Sequence, residues 1–234
     1  MEKIKEEVPE KLRIAVLLSF ISGYINAFTY NNAGELFAGA QTGNVIFMAL
    51  HFAKGNLEKA VEFLIPIISF MIGQIFIYCF RNFFQRRGHK GYIHSSLLML
   101  FIMVMLIVLL PFFDYHFIVV TLAFFAAIQS DTFQRLRGFS YATIMMTGNV
   151  KNAPRLLIEG LVQSDRELLV RGFLLFLIIF SFMLGVGIST YFTQFVKKSA
   201  LVPLILPLSY INYVLFKEEH NVIDVVKSKI RKIK

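Results

Sequence analysis

Tryptophan is absent from this chain of 234 residues, and cysteine occurs once. A single cysteine excludes an internal disulfide, and the apolar run around Cys79 predicts a small packed residue. Histidines are few and scattered: His51, His89, His94, His116 and His220. No His-Glu-x-x-His, Gly-x-Ser-x-Gly or paired-aspartate motif is present, so nothing points to an intramembrane hydrolase, a metal centre or a cofactor, and no enzyme is expected. His51, alone inside a motif-bearing segment, reads as a hydrogen-bonded packing residue. Acidic residues are also scarce, 15 against 24 Lys and Arg. A net charge of +9 could suggest nucleic acid. The basic–aromatic pattern, zinc spacing and phosphate-binding glycine loop that would support that partner are missing. A cleavable leader is not expected either, because the mixed-charge stretch from Met1 to Glu10 leads straight into an apolar run.

What the chain has in excess is apolar surface: 56% of its residues are hydrophobic, 26 of them Phe. Apolar segments fall at 12–30, 36–53, 61–80, 93–113, 116–134, 139–150, 172–195 and 199–216. Several reach or approach the ~20 residues that cross a bilayer as a helix. The expected fold class is therefore all-α, a polytopic membrane protein whose partner is the lipid bilayer. Its positive charge then belongs to cytoplasmic loops.

Two of these segments carry the same polar step. Gln41-Thr42-Gly43-Asn44-Val45 returns as Met146-Thr147-Gly148-Asn149-Val150. Sliding the chain by that interval sets Asn26 on Asp131, Phe28 on Phe133 and Gly55 on Gly160. After a short insertion, Ser69-Phe70-Met71-Ile72-Gly73 falls on Ser181-Phe182-Met183-Leu184-Gly185. The order of matches predicts an internal duplication, with membrane repeats over 12–113 and 114–216, an N-terminal segment 1–11 and a C-terminal tail 217–234. Gly is a poor helix-interior residue, and Thr and Asn seek local hydrogen bonds. The step is thus expected to break its helix, and such breaks at matching places in two halves point to a binding site.

Loop charges separate two topologies. If all eight segments cross, Arg81, Arg86, Arg87 and Lys90 lie outside together. If the second and sixth segments dip in and return, twenty of the 24 Lys and Arg gather inside. Only Lys54, Lys59, Lys197 and Lys198 then stay outside. The positive-inside rule favours the second arrangement, with both termini cytoplasmic. Each repeat then has three transmembrane helices plus one broken or re-entrant segment, and the two repeats are inverted. Ser69 with Gly73, and Ser181 with Gly185, read as small residues that let helices approach. The tail places Val222, Val226, Ile230 and Ile233 between lysines, as a basic amphipathic helix on an anionic surface would.

Candidate binding residues follow from the motifs and from polar residues in apolar surroundings. They are Asn26, Gln41, Thr42, Gly43, Asn44, Gln129, Asp131, Thr147, Gly148, Asn149, Lys151 and Arg155. Asp131 stands out because an ionisable residue in a span is costly and faces protein interior or water. The competing reading is an ion pair with Arg135, Lys151 or Arg155. Lys151 and Arg155 share a helical face and could hold an anion, neutralise Asp131 or Glu159, or sit as ordinary interfacial charges. The expected function is passage of a small solute or ion; the alternative is a membrane sensor or partner-binding protein. Neither reading fixes whether the protein forms a homo-oligomer.

Gly23-Tyr24-Ile25-Asn26-Ala27-Phe28-Thr29, Gly34 to Ala38, and Gln41 to Asn44, with Gln129 to Gly138 and Met146 to Asn149, resemble the YoaK-like family. These are bacterial inner-membrane proteins of unknown function. The resemblance covers nearly the whole chain. It implies a multi-span protein of the bacterial inner membrane and supplies no ligand. That family often has Asp where this chain has Asn26 and Asn where it has Asp131, which implies a carboxylate moved to the repeat-related position.

Overall fold

The computed structural model describes residues 8–217. Residues 1–7 and nearly all of the basic tail lie outside the described residues. A 3-10 turn, Val8–Glu10, leads into α1 (Leu12–Asn32). Then come α2 (Gln41–Ala53), α3 (Leu57–Arg86), α4 (Gly91–Leu109) and α5 (Tyr115–Thr132). A small antiparallel ribbon of β1 (Arg135–Leu136) and β2 (Phe139–Ser140) precedes α6 (Met146–Val162) and α7 (Arg166–Val196). A 3-10 stretch, Lys197–Leu204, continues into α8 over residues 205–217. Among the described residues Leu12–Asn32, Leu57–Arg86, Gly91–Leu109 and Arg166–Lys217 are long and apolar enough to cross a membrane. The chain is by this measure a membrane-embedded, all-helical protein.

Helix starts follow local chemistry. Asp114 accepts from Phe117 N at 3.0 Å, Asn56 from Lys59 N at 3.3 Å and Asp165 from Glu167 N at 2.8 Å. Each satisfies an amide that the first helical turn leaves open. Gly55 takes φ +75° in the turn after α2, whereas Gly160 sits inside α6 against Leu169. The match of those two glycines is therefore not one of role: α6 runs one turn further before its own turn comes.

α1 and α5 form the centre and run antiparallel. Gln129, near the end of α5, donates to Leu18 O near the start of α1 at 3.0 Å, while Val119 near the start of α5 packs with Ala33 beyond the end of α1. Each central helix then takes a long partner from the other half of the chain. Ser181 Oγ on α7 donates to Val16 O on α1, and Ser69 Oγ on α3 donates to Val120 O on α5, both at 2.7 Å. One turn on, a Cβ at Gly185 would overlap the Phe20 carbonyl, and one at Gly73 would lie 2.6 Å from Ala127 Cβ. The two small-residue pairs thus do the same work, letting backbones close to a hydroxyl–carbonyl bond.

α2 and α6 do not pass from one end of the bundle to the other. Gly34, just after α1, would put a Cβ 2.7 Å from Lys59 Nζ at the start of α3. The chain has come back to the end of α1 from which it left. Likewise Arg171, early in α7, lies over the Phe139 ring just after α5. At 13 residues α2 is about 20 Å long, short of the ~30 Å hydrocarbon core.

Two expectations are corrected here. The Thr-Gly-Asn steps do not interrupt helices: Gln41 and Met146 are the first residues of α2 and α6, so the break lies in the loop before each step. Cys79 is exposed on the outer side of α3, not packed. His51 packs flat on Phe63, with ring centroids 5.6 Å apart, but its Nδ1 has no hydrogen-bond partner among the described residues.

Candidate functional site

Both motif asparagines are buried and turned back on the loops that precede them. Asn44 Oδ1 accepts from Phe37 N at 2.9 Å, and its Nδ2 donates to Phe37 O at 2.8 Å. Asn149 Oδ1 accepts from Ala142 N at 3.2 Å, and its Nδ2 donates to Ala142 O at 2.7 Å. In both cases the gripped residue lies 7 positions upstream. An amide side chain, with one donor end and one acceptor end, matches one residue's N–H and C=O as another strand would. Each clamp satisfies the backbone of a non-helical segment, which the interior of a membrane protein demands.

The clamped loops touch. A Cβ on Gly39 would lie 2.5 Å from Ile144 Cγ2 and 3.5 Å from Ala126 Cβ. Asn26 finishes the first loop: its Oδ1 accepts from Gly39 N at 2.9 Å and Ala40 N at 3.0 Å, while its Nδ2 donates to Ser22 O at 2.8 Å. Thr29 Oγ1 accepts from Ala38 N at 3.1 Å. Gln41 Nε2 donates to Ala38 O at 2.8 Å, and its Oε1 accepts from Asn44 at 2.9 Å. Gly43 packs on the Phe37 ring, where a Cβ would stand 2.8 Å from Cε2.

The other candidates scatter. Thr42, Thr147, Gly148 and Lys151 are exposed on the outer sides of their helices. Arg155 Nε pairs with Glu159 Oε1 at 2.7 Å and does not reach Asp131. Gln129 is fully buried and donates also to Ser22 Oγ at 2.7 Å, but its Oε1 has no partner among the described residues. Asp131 pairs with a residue that hydropathy had assigned to a loop. Arg81 Nη1, near the end of α3, donates to Asp131 Oδ2 at 2.6 Å and to Asp131 O at 2.8 Å. The three cations expected as partners make no such bond. The apolar run ends at Phe80, which makes Arg81 read as the first loop residue; continuation of α3 through Arg86 instead carries its side chain to Asp131 on α5.

Two cavities lie toward opposite ends of the bundle. One, of about 440 Å³, opens at the end of the bundle that holds the N-terminal turn; Glu10, Arg81, Asp131, Thr132 and Arg135 line it. The other, of about 420 Å³, opens toward the opposite end between α1, α2 and α7; Asn26, Tyr30, Asn31, Phe37 and Thr190 line it. Asn26 and Asp131, which the motif interval sets on each other, thus fall in different cavities. Their chemistry differs as well: Asn26 is spent on its loop, and Asp131 faces a guanidinium.

Residues 14–213 match the family described as Protein of unknown function (DUF1275). The chain belongs to this family. The match spans both clamps, the Arg81–Asp131 pair, the second cavity and all of the first cavity's wall except Pro9 and Glu10. The family is uncharacterised and brings no ligand or reaction. No curated protein and no solved structure matches the chain.

Proposed function

We propose that this DUF1275 protein carries a small solute or ion across the bacterial inner membrane, as a transporter built from two inverted repeats. In this reading α1, α3 and α4 cross in the first half, and α5, α7 and the 3-10 stretch Lys197–Leu204 together with α8 cross in the second; α2 and α6 are re-entrant. The end of the bundle holding Arg81, Arg135 and Arg171 is cytoplasmic, because cations gather there. The YoaK-like resemblance agrees with that membrane. The observation that carries the reading is the pair of cavities, about 440 and 420 Å³, that open toward opposite ends of the bundle, with two non-helical loops in contact inside it. A closed centre with an opening on each side is what alternating access around a fixed site requires. Non-helical backbone at mid-depth is tolerated where it is buried or lines a cavity, and here it does both.

A second reading is favoured by one observation: the clamps use both hydrogen-bonding ends of Asn44 and Asn149 on the protein itself. That suits a rigid sensor or partner-binding protein as well as a transporter. A thermal-shift screen of the purified chain against metabolites and ions, followed by uptake of each hit into proteoliposomes, separates them. Transport predicts uptake that Asp131→Asn abolishes. A hit that stabilises the protein but never accumulates in the vesicles would leave the sensor.

A further inference from the structure

The cavity beside Arg81 carries a charge pattern that selects its ligand. Its wall holds two carboxylates, Glu10 and Asp131, and two guanidinia, Arg81 and Arg135. Much of this charge is already engaged. Arg81 Nη1 holds Asp131 at 2.6 Å, and Glu10 Oε2 accepts from Gly138 N at 2.7 Å. Two polar groups are left over. Arg81 Nε–H and the Thr132 hydroxyl are buried with no partner among the described residues, and Thr132 is only 8% exposed. A buried donor without a partner is unfavourable and marks a place where a ligand or water completes the bonding. The volume of about 440 Å³ falls within the ~300–1,000 Å³ of small-molecule sites.

We propose that this cavity binds a small zwitterion, an amino-acid-like solute whose carboxylate docks on the Arg81 Nε edge and whose ammonium faces Asp131. The proposal rests on the transport reading in naming a substrate. Guanidinium binds carboxylate through adjacent N–H groups, and the edge that carries Nε is the one the Asp131 bonds of Nη1 leave unbonded. The wall as a whole is charge-balanced. A monoanion entering it would set a third negative charge beside Asp131 and Glu10, and a monocation a third positive charge beside Arg81 and Arg135. In a partly desolvated site such uncompensated charge is costly. A zwitterion adds one charge of each sign and leaves the Arg81–Asp131 pair unbroken.

The test is thermal denaturation of the purified full chain in detergent with a panel of α- and ω-amino acids. Each is matched with its deaminated carboxylate and its decarboxylated amine at equal ionic strength. At least one amino acid should raise Tm by roughly 5 °C or more near saturation, while its two half-molecules leave Tm unmoved. Arg81→Lys keeps the charge beside Asp131 but removes the Nε edge, and should weaken binding at least tenfold. Should that variant fold poorly, the double change Arg81→Gln with Asp131→Asn strands no charge and should abolish the shift. Failure of every amino acid to move Tm, or an equal shift from a carboxylate alone, overturns the zwitterion site. A shift without uptake of the same labelled amino acid into proteoliposomes supports the site and overturns transport.

Discussion

Gly39 and Ile144 meet between the central helices, and the interval between them is the one that separates Asn44 from Asn149. The contact leaves no room for a side chain: a Cβ on Gly39 would come within 2.5 Å of Ile144 Cγ2. Gly39→Val should therefore destabilise by about 1–3 kcal/mol through overpacking. Ile144→Ala should relieve part of that loss, so the double variant is more stable than the sum of the singles predicts. Denaturation midpoints of the four proteins in one detergent measure the coupling, and strict additivity would show that the loops do not press on each other.

The asparagine clamps make a second prediction. Asn44→Leu removes the partner of both Phe37 N and Phe37 O, and Asn149→Leu does the same at Ala142. Each unpaired buried group costs about 1–3 kcal/mol. Both variants should have a lowered Tm and a loosened loop. Cysteines at Ala38 and Thr143 should gain reactivity in them. Unchanged Tm and unchanged reactivity would mean that the clamps carry no weight.

These clamps also show how far the sequence could be read. The repeated Thr-Gly-Asn step was visible, and so were the apolar segments and the two serine–glycine pairs, because each is a local pattern with one physical meaning. The direction in which Asn44 turns was not. Its partners lie upstream in a loop whose path only the packing of α1 against α5 decides, so a helix breaker and a loop clamp looked alike. Arg81 was hidden for a different reason: hydropathy ends a segment at the first charge, whereas hydrogen bonding carries α3 on to Arg86. Cys79 lies on the outer side of an apolar run that buries Phe63 and Ile77 on its inner side, and hydropathy cannot tell one side of such a helix from the other.

The re-entrant reading of α2 and α6 predicts which residues share a membrane face. Cysteines at Lys54 and Lys197 should be labelled by an impermeant maleimide from the outside of intact cells. Cysteines at Arg86 and Ser164 should be labelled only after lysis. Because Cys79 is exposed, the background must carry Cys79→Ser. Labelling of Ser164 together with Lys54 in intact cells would mean that α6 crosses.

Asp114 ties one helix start to pH. The Phe117 amide that it caps holds its carboxyl below the ordinary value of 3.8, with the neighbouring His116 adding to the effect. A depressed folded-state pKa contributes stability that is present above 3.8 and lost as pH falls through the lower folded value. Asp114→Asn keeps an acceptor for Phe117 N–H and removes the titration. The variant's Tm should fall less steeply than the wild type's on acidification below that value. Parallel curves would show that the cap does not sense pH.

The exchange of Asn26 with Asp131 tests whether two positions one motif interval apart are interchangeable, and the bonds at each say that they are not. Asn26 uses both ends of its amide: two loop amides donate to Oδ1, and Nδ2 donates to Ser22 O. Aspartate could keep the first two bonds but would turn a carboxylate oxygen toward the Ser22 carbonyl, at about 1–3 kcal/mol for the lost pairing. At the other position, Asp131→Asn leaves Arg81 with a neutral acceptor in place of its counter-ion. The new carboxylate at position 26 cannot restore that pair, because Arg81 and Asn26 line different cavities. The double variant Asn26→Asp with Asp131→Asn should thus have a lower Tm than either single variant and no ligand-dependent stabilisation. The informative comparison is Arg81→Gln with Asp131→Asn, which removes the pair without stranding a charge and should be the more stable of the two doubles. If the exchanged protein instead regained the Tm or the ligand response that Asp131→Asn had lost, one shared carboxylate would serve both repeats, and the two cavities would be two states of a single site.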